Sequence, residues 1–327
     1  MRVLIINPMS ETEILPGPPP CEFHHRFARI NGFRLHYVEA NPTAENGSQI
    51  TSAKFCIALH GFPEFWYSWR HQIPALAAAG FHVLVPDLRG YNLSDKPRGI
   101  SAYRIDSLID DVLGLIEHAG AHRAAVIGHD WGGVIAWHLA MYHPQLVEKL
   151  IILNAPHTAA YRRELRSWRQ LLKSWYVFFF QLPGLPELLL RAGNFDSLGR
   201  MLRNQPVNRE AFTAEDVRRY KQAMAQPGAL TAALNYYRAF FRYRNQREVS
   251  DDAPITVPVL LLWGERDAYL NPRLTEGLSA WVPNLRIMRF PDVSHWIQND
   301  APERVNRLMI DFLRDPSLTH TQNKERG

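Results

Sequence analysis

Short apolar segments alternate with amphipathic segments along most of this chain, and this alternation restricts the fold more than any other feature. The apolar runs predict these strands: Phe55–Leu59, Phe81–Val85, Ala124–Ile127, Leu150–Leu153, Val259–Trp263 and Leu285–Phe290. The segments between and after them predict these helices: Trp69–Ala79, Ile105–Ala119, Val134–Tyr142, Leu274–Trp281 and Glu303–Leu313. Such alternation implies an α/β fold, with a mostly parallel sheet covered by helices on both faces. Ligands of such sheets bind beyond the carboxyl ends of the strands, so chemistry is expected in the turns that follow them.

Other segments do not follow this alternation. Residues 1–22 are expected to form an N-terminal tail, because the prolines between Pro16 and Pro20 prevent regular structure there. The stretch Phe27–Glu39 alternates around Asn31-Gly32, a pattern typical of a hairpin. Residues 158–250 are rich in arginine and aromatic residues, and prolines break their helical stretches. We interpret them as a helical lid inserted into a core of residues 23–157 and 251–327.

The composition excludes several other classes of protein. A formal charge of +5 comes mainly from arginine, but no nucleic-acid motif accompanies it, so no nucleic-acid partner is expected. The two cysteines, Cys21 and Cys56, give neither a disulfide framework nor metal-ligand spacing, which fits a reducing cytoplasm. Apolar runs such as Trp175–Phe180 are too short to span a bilayer. We therefore expect a cytoplasmic protein with no metal site and no membrane span.

The segment Ala124–Gly133 predicts a strand, a tight turn and a helix, with one functional side chain, Asp130, between Gly128 and Gly132. This pattern is typical of a nucleophile elbow, in which a sharp turn exposes one residue at the start of a helix. The usual residue at this point is serine, and aspartate changes the chemistry. A carboxylate, with a reference pKa of about 3.9, is already ionised near neutral pH and suits displacement at a saturated carbon. The alternative is that Asp130 only caps the helix.

An ester formed on Asp130 needs a base that activates water, and histidine suits this role near pH 7. His295 follows the last predicted strand, and Asp267 follows the strand before it, so the order along the chain is nucleophile, acid and histidine. Asp292 and Glu265 are alternatives to Asp267 as the orienting acid. Two further candidates have other expected roles: Asn154 ends an earlier strand but cannot serve as an anion, and His129 is expected to be packed and hydrogen-bonded.

Hydrolysis of such an ester develops negative charge on its carbonyl oxygen, which backbone N–H groups stabilise. The residue after the nucleophile, Trp131, is one expected donor of this oxyanion hole. Phe62, which follows His60-Gly61 and precedes Pro63, is the other.

These motifs resemble the epoxide hydrolases of the α/β-hydrolase superfamily from about Phe27 to Leu313. The segments that carry the resemblance are His60-Gly61-Phe62-Pro63-Glu64, Asp87-Leu88-Arg89-Gly90-Tyr91 and Gly128-His129-Asp130-Trp131-Gly132-Gly133. One departure is Asn92, where the family usually has glycine; asparagine tolerates left-handed backbone, so little effect is expected. The resemblance implies an α/β-hydrolase fold and conversion of an epoxide to a vicinal diol without metal or organic cofactor.

The resemblance also assigns two lid tyrosines to ring opening, where they donate a proton to the epoxide oxygen. Tyr176 lies before Phe180-Gln181-Leu182-Pro183-Gly184, and Tyr237 lies in Asn235-Tyr236-Tyr237-Arg238. If the match to the family motif is shifted by one residue, Tyr236 takes the place of Tyr237. The other interpretation is that both are core aromatics. The substrate is expected to bind in an aromatic pocket formed by Trp66, Trp175 and Phe179. Each of these side chains could equally be a packing residue of the core.

Two other functions stay open at this point. A haloalkane dehalogenase would use the same aspartate, although Phe62 stands where those enzymes often carry Asn or Glu for halide. The third hypothesis is a catalytically inactive relative that only binds a ligand or partner. The full set of expected catalytic residues argues against it. The expected partners are a small apolar epoxide and water, and a homodimer is an open alternative to a monomer.

Overall fold

An eight-stranded sheet runs through the computed structural model, which describes residues 23–42, 53–243 and 253–318. The strands are β1 His24–Ile30, β2 Phe33–Ala40, β3 Lys54–Leu59, β4 Phe81–Pro86, β5 Ala124–His129, β6 Val147–Leu153, β7 Val259–Gly264 and β8 Leu285–Phe290. They lie in the order β1-β2-β4-β3-β5-β6-β7-β8. The predicted tail, Cys21 and residues 244–252 lie outside the described residues.

The sheet begins with the hairpin that Asn31-Gly32 predicts. β1 pairs antiparallel with β2, and β2 pairs antiparallel with β4. Asn31 and Gly32 both have positive φ, 51° and 83°, as a tight hairpin turn requires. From β4 to β8 every pair is parallel, so the carboxyl ends of these strands share one edge of the sheet.

Helices cover the sheet on both faces, in agreement with the predicted fold class. They are α1 Gln72–Ala78, α2 Ile105–His118, α3 Trp131–Tyr142, α10 Ile297–Asp300 and α11 Pro302–Arg314. α2 and α11 bury one apolar face each, whereas α3 is buried almost all round between β5, β6 and α2. Short 3₁₀ turns are formed by Trp66–Trp69, Ile100–Tyr103, Pro144–Leu146, Pro272–Thr275, Leu278–Ala280 and Pro316–Leu318.

One helix prediction is wrong. Instead of a single helix over Leu274–Trp281, the chain forms two 3₁₀ turns, Pro272–Thr275 and Leu278–Ala280. Gly277 between them has a φ of +66°, which a continuous right-handed helix cannot contain. The apolar spacing of Leu274 and Leu278 matched a helix, but both side chains are buried from separate turns.

Between β6 and β7 the chain forms a helical segment, residues 158–243, which we call the insert. Its helices are α4 Thr158–Glu164, α5 Trp168–Lys173, α6 Trp175–Phe179, α7 Leu185–Asn204, α8 Ala214–Ala225 and α9 Ala229–Arg242. α7 is broken where Ala192 to Phe195 leave helical backbone. α9 contacts the core directly, because the Tyr236 hydroxyl donates to the carbonyl of Arg89 at 2.7 Å.

Across the described ranges, no helix is both long and apolar enough to cross a bilayer.

Candidate active site

Asp130 lies at the junction of β5 and α3, at the shared carboxyl edge of the parallel strands. Its backbone is strained, with φ 49° and ψ −119°. The turn closes tightly because its neighbours are glycines: a Cβ on Gly128 would lie 2.5 Å from the carbonyl oxygen of Gly132, and one on Gly132 would lie 2.2 Å from that of Leu59. The glycine frame thus permits the strained geometry that presents this carboxylate.

The carboxylate of Asp130 does not cap the helix that it precedes. Its Oδ1 instead accepts a hydrogen bond from the backbone N–H of Phe62 at 2.8 Å. The loop that supplies this donor is held by Glu64, whose Oε2 accepts from the N–H of Gly61 at 2.9 Å. Gly61 is required here, because a Cβ would lie 2.6 Å from Oδ1 of Asp130.

His295 approaches Asp130 from the loop after β8. Its Nε2 lies 3.7 Å from Oδ2 of Asp130, and its Nδ1 donates to Oδ2 of Asp267 at 2.6 Å. Asp267 is therefore the acid that contacts this histidine. Asp292, the alternative, instead pairs with Arg304 at 2.8 Å near the surface.

Asp267 is fixed by donors from two directions. Its Oδ1 accepts from the N–H groups of Tyr269 and Leu270 at 2.7 and 2.9 Å. Its Oδ2 also accepts from the Asn154 side chain at 2.8 Å. Asn154, at the end of β6, thus supports the acid rather than replacing it.

The charges of this cluster shift the pKa values of its members. Burial alone would raise the pKa of Asp267, but His295 and the surrounding donors hold it below its usual value. Burial alone would lower the pKa of His295, but Asp267, Asp130 and Glu64 together raise it to about 9. The imidazolium form of His295 is therefore favoured while both aspartates are ionised.

Tyr176 and Tyr237 reach the same place from the insert. Tyr176 lies on α6 and Tyr237 on α9, with their ring centroids 5.9 Å apart, and both line cavities that contain Asp130. Burial raises the pKa of both phenols well above the usual value, and the charge of Asp130 adds to the effect. Tyr236, the alternative to Tyr237, faces the core and contacts Tyr91 and Tyr103.

Two cavities meet at Asp130, Tyr176 and Tyr237. The larger has a volume of about 500 Å³ and also contains Phe62 and His295. The smaller has a volume of about 60 Å³ and is also lined by side chains such as those of Val134 and Phe240. Both linings are mainly apolar, as expected of a site for an apolar small molecule.

The three residues expected to bind substrate have different positions. Trp175 and Phe179 line the larger cavity. Trp66 lines neither cavity: it is buried against Phe23 and His25 at ring-centroid distances of 6.0 and 5.1 Å. The expectation for Trp66 is therefore wrong, because its ring packs against Phe23 and His25 at the start of β1 instead of lining a cavity.

Sequence reasoning missed a polar cluster behind the site. Oε1 of Glu64 accepts from Ser68 at 2.6 Å and from Gln298 at 3.2 Å, and Oε2 accepts from His129 at 2.7 Å. His129 is buried and hydrogen-bonded, as predicted, but the partner was not foreseen. A glutamate directly after the Phe62-Pro63 turn, in an otherwise apolar stretch, was the feature that could have revealed it.

The insert also contributes a polar contact to Asp267. The ammonium of Lys173, on α5, donates to the backbone carbonyl of Asp267. Lys173 also lines the larger cavity.

The chain is similar to known proteins over most of its length. The family model of the alpha/beta hydrolase fold matches residues 57–302. The AB hydrolase superfamily protein YfhM of Bacillus subtilis is 44% identical over 293 residues, which cover 89% of this chain and 98% of that protein. Human epoxide hydrolase 4 is 38% identical over 311 residues, which cover 91% of this chain and 82% of that protein.

The chain is also similar to solved structures of epoxide hydrolases. The crystal structure of Bacillus megaterium epoxide hydrolase in complex with an inhibitor is 32% identical, with a TM-score of 0.79. The similarity covers 89% of this chain and 100% of that chain.

Proposed function

The chain belongs to the epoxide hydrolases of the α/β-hydrolase family, and from this premise we propose that it opens an epoxide by attack of Asp130 and releases a vicinal diol. The observation that carries the proposal is the position of the Asp130 carboxylate at the meeting point of two apolar cavities. It lies between a buried histidine–aspartate pair and two tyrosines of the insert, of which Tyr237 is buried and Tyr176 partly buried. Each group corresponds to one step of the reaction.

The two oxygens of Asp130 have different roles in the first step. Oδ1 is occupied by the N–H of Phe62, whereas Oδ2 lies on the side of His295. Oδ2 would therefore attack an epoxide carbon, forming the ester bond as the carbon–oxygen bond of the ring breaks. Oδ1 then becomes the ester carbonyl and remains at the Phe62 N–H. The N–H of Trp131, at the start of α3, is the proposed second donor to it.

The epoxide oxygen leaves as an alkoxide and needs a proton. Tyr176 and Tyr237 are protonated near neutral pH, because burial raises their pKa values. Both would donate hydrogen bonds to the ring oxygen, and one would transfer its proton as the ring opens. General acid assistance of this kind is worth about 10²- to 10⁴-fold in rate. A halide needs no such proton, so this pair favours an epoxide over a haloalkane.

The second step hydrolyses the ester. Formation of the ester removes the negative charge of Asp130, which is one of the charges that raise the pKa of His295. The imidazole therefore loses its proton more readily at this stage, and it can activate a water. The proton that His295 releases restores the tyrosine that protonated the ring oxygen. His295 then takes one proton from the water as the water oxygen bonds to Cγ of Asp130; the bond from Cγ to Oδ2 breaks, and that proton passes to the diol oxygen. The remaining proton of the new carboxyl group returns to His295, which restores the starting state. Asp267 holds the ring in place throughout.

The cavities indicate the kind of epoxide. A large apolar substituent would occupy the larger cavity, against Trp175 and Phe179, and only a small substituent fits the smaller one. We further propose that residues 158–250 act as the lid over a core of residues 23–157 and 251–327, since α6 and α9 supply the two tyrosines.

The test is a single turnover of styrene oxide in H₂¹⁸O with enzyme in excess, followed by mass spectrometry of the peptide that contains Asp130. The expected result is one ¹⁸O atom in Asp130 and none in the diol, because water attacks the carboxyl carbon. The label in the diol alone would mean direct attack by water and would overturn the proposal.

Three variants and a second substrate complete the test. Asp130→Asn should form no diol, whereas Asp292→Asn, at an exposed carboxylate, should keep full activity. His295→Gln should accumulate an enzyme adduct with the mass of styrene oxide. Release of halide from 1-chlorohexane at a rate comparable with diol formation would assign the site to dehalogenation instead.

A further inference from the structure

The outer side of α5, α6 and the first half of α7 carries a dense group of exposed apolar side chains. Of the thirteen large apolar side chains that are exposed in the described ranges, nine fall between residues 168 and 189. We call these nine the apolar face: Trp168, Leu171, Leu172, Trp175, Phe178, Leu182, Leu185, Leu188 and Leu189. Trp168 and Leu188 are 67% and 68% exposed. Exposed apolar patches of this kind mark interaction sites on soluble proteins.

The apolar face is continuous with the larger cavity of the active site. Leu172 and Trp175 are each 64% exposed on the outside, and both also line that cavity. Leu190, directly after Leu188 and Leu189, lines it as well. The cavity therefore reaches the surface within the apolar face.

The charge around this face is strongly positive. Residues 162–191 contain six basic residues and two acidic ones, a net charge of +4. Both carboxylates are already engaged: Glu164 accepts from Arg163 at 3.1 Å, and Glu187 accepts from Arg238 at 2.7 Å.

Three arginines lie exposed among the apolar residues: Arg166, Arg169 and Arg191. The guanidinium of Arg169 lies 5.7 Å from the ring centroid of Trp168.

We propose that the apolar face docks on the surface of an anionic lipid bilayer. Tryptophan and leucine would enter the boundary between headgroups and acyl chains, and the arginines would contact the lipid phosphates. A second copy of the chain fits this face less well, since pairing through it would bring two net positive surfaces together.

Docking in this orientation would set the mouth of the larger cavity against the membrane. An apolar epoxide dissolved in the bilayer could then reach Asp130 without crossing water. This consequence for the substrate depends on the proposed function, whereas the docking itself does not.

The test measures sedimentation of the protein with vesicles of phosphatidylcholine alone and with vesicles of equal parts phosphatidylcholine and phosphatidylglycerol. Wild type should bind the anionic vesicles, and added salt should weaken the binding because exposed charges are screened. Two triple variants should each lower the partition coefficient by roughly tenfold or more: Trp168→Gln/Leu188→Gln/Leu189→Gln and Arg166→Gln/Arg169→Gln/Arg191→Gln. None of the six residues lines the larger cavity.

Matched controls change similar residues elsewhere. Met288→Gln removes an exposed apolar side chain from β8, and Arg29→Gln/Arg307→Gln removes two exposed charges far from the insert in sequence. Both controls should bind vesicles as wild type does. An equal loss with Arg29→Gln/Arg307→Gln would mean that binding follows net charge alone. An equal loss with Met288→Gln would mean that any exposed apolar side chain contributes alike. Either result would overturn the proposal.

Two further results would overturn the docking. One is a wild type that does not bind anionic vesicles. The other is a dimer in analytical ultracentrifugation that the apolar triple variant dissociates, which would assign the face to a second copy. Diol formation from a water-soluble epoxide, measured without vesicles, is independent of all these outcomes. Its absence would reject the proposed function and leave the docking result intact.

Discussion

The imidazole of His129 and the carboxylate of Glu64 form a fully buried pair, in which Nδ1 of His129 lies 2.7 Å from Oε2 of Glu64. The other ring nitrogen of His129 donates to the backbone carbonyl of His295 at 2.9 Å. Both nitrogens of the ring therefore face oxygen atoms, which hold the ring from two sides. Glu64 also accepts from the N–H of Gly61. One pair thus ties together the loop of Phe62, the turn at Asp130 and the loop of His295.

Replacement of Glu64 by glutamine should therefore damage both folding and activity. Removing one partner of a buried ion pair costs about 3–5 kcal/mol of stability, and small displacements of catalytic groups cost up to about 10²-fold in rate. Urea unfolding and kcat for styrene oxide measure the two effects. Glu164→Gln is the control, since Glu164 is also buried and paired with an arginine but lies outside the cluster. A Glu64→Gln enzyme with wild-type kcat would contradict the positioning role.

The two adjacent tyrosines of α9 offer a direct test of the ring-opening assignment. Tyr237→Phe should lower kcat for an epoxide by about 10²-fold or more, because it removes a proton donor to the leaving oxygen. Tyr236→Phe should leave kcat unchanged and lower stability by about 1 kcal/mol, because it removes only the hydrogen bond to the carbonyl of Arg89. Steady-state kinetics and urea unfolding of both variants decide the matter. Equal losses of kcat would mean that the assignment of Tyr237 is wrong.

Tyr176 is tested separately from Tyr237. Tyr176→Phe should also slow ring opening, and the double variant Tyr176→Phe/Tyr237→Phe should lose most activity while the protein stays folded. The hydrolysis of an ester already formed should be unaffected, since the proposed role of the tyrosines comes before that step. Rapid-quench measurements that separate the two steps would show a change in the first one only. A slower second step would point to a role in positioning water instead.

The parts of the fold that could be predicted are those that short sequence motifs determine. The parallel strands and the elbow at Asp130 follow from short apolar runs and from glycines whose positions admit no Cβ. Asn92 behaves as expected too, with a φ of 38°. In each case the signal stands in a short local motif, although the atom that excludes a Cβ at Gly132 is the carbonyl oxygen of Leu59 on a neighbouring strand.

The parts that could not be predicted depend on side-chain direction and on distant partners. Trp66 lies near Phe62 in sequence, yet its ring packs toward β1, since a 3₁₀ turn begins at this residue and reorients the chain. Glu64 and His129 are 65 positions apart, and neither belongs to a periodic pattern. The failed helix at Leu274–Trp281 is the exception, because its cause is local: Gly277 has a positive φ, and the apolar spacing of Leu274 and Leu278 gave no sign of it.

The stability of the protein should depend on the charge of His295. Its pKa is raised to about 9 from an ordinary value of 6.5, so the protonated ring stabilises the folded state. This contribution is fully present below pH 6.5 and is lost as the pH rises through 9. Urea unfolding of wild type should therefore show stability falling between pH 6.5 and 9, and His295→Gln should show a smaller fall in that window. An equal fall in both proteins would mean that another group controls this titration.

Gly61 should be essential to activity more than to folding. A Cβ at this position would lie 2.4 Å from Cβ and 2.6 Å from Oδ1 of Asp130, so Gly61→Ala should displace the carboxylate from the N–H of Phe62. Displacement of a nucleophile by about 1 Å costs up to about 10²-fold in rate, so kcat/KM should fall by that order.

The matched control for Gly61→Ala is Gly114→Ala on α2. The new Cβ there would lie 2.4 Å from Cγ2 of Ile30, a close approach of the same size as at Gly61 but away from Asp130. Its kcat/KM should stay near the wild-type value, because Gly114 contacts no residue of the active site. Circular dichroism should show both variants folded. Full activity in Gly61→Ala would mean that the Asp130 carboxylate has room to move without loss, and that the hydrogen bond from Phe62 is not needed for attack.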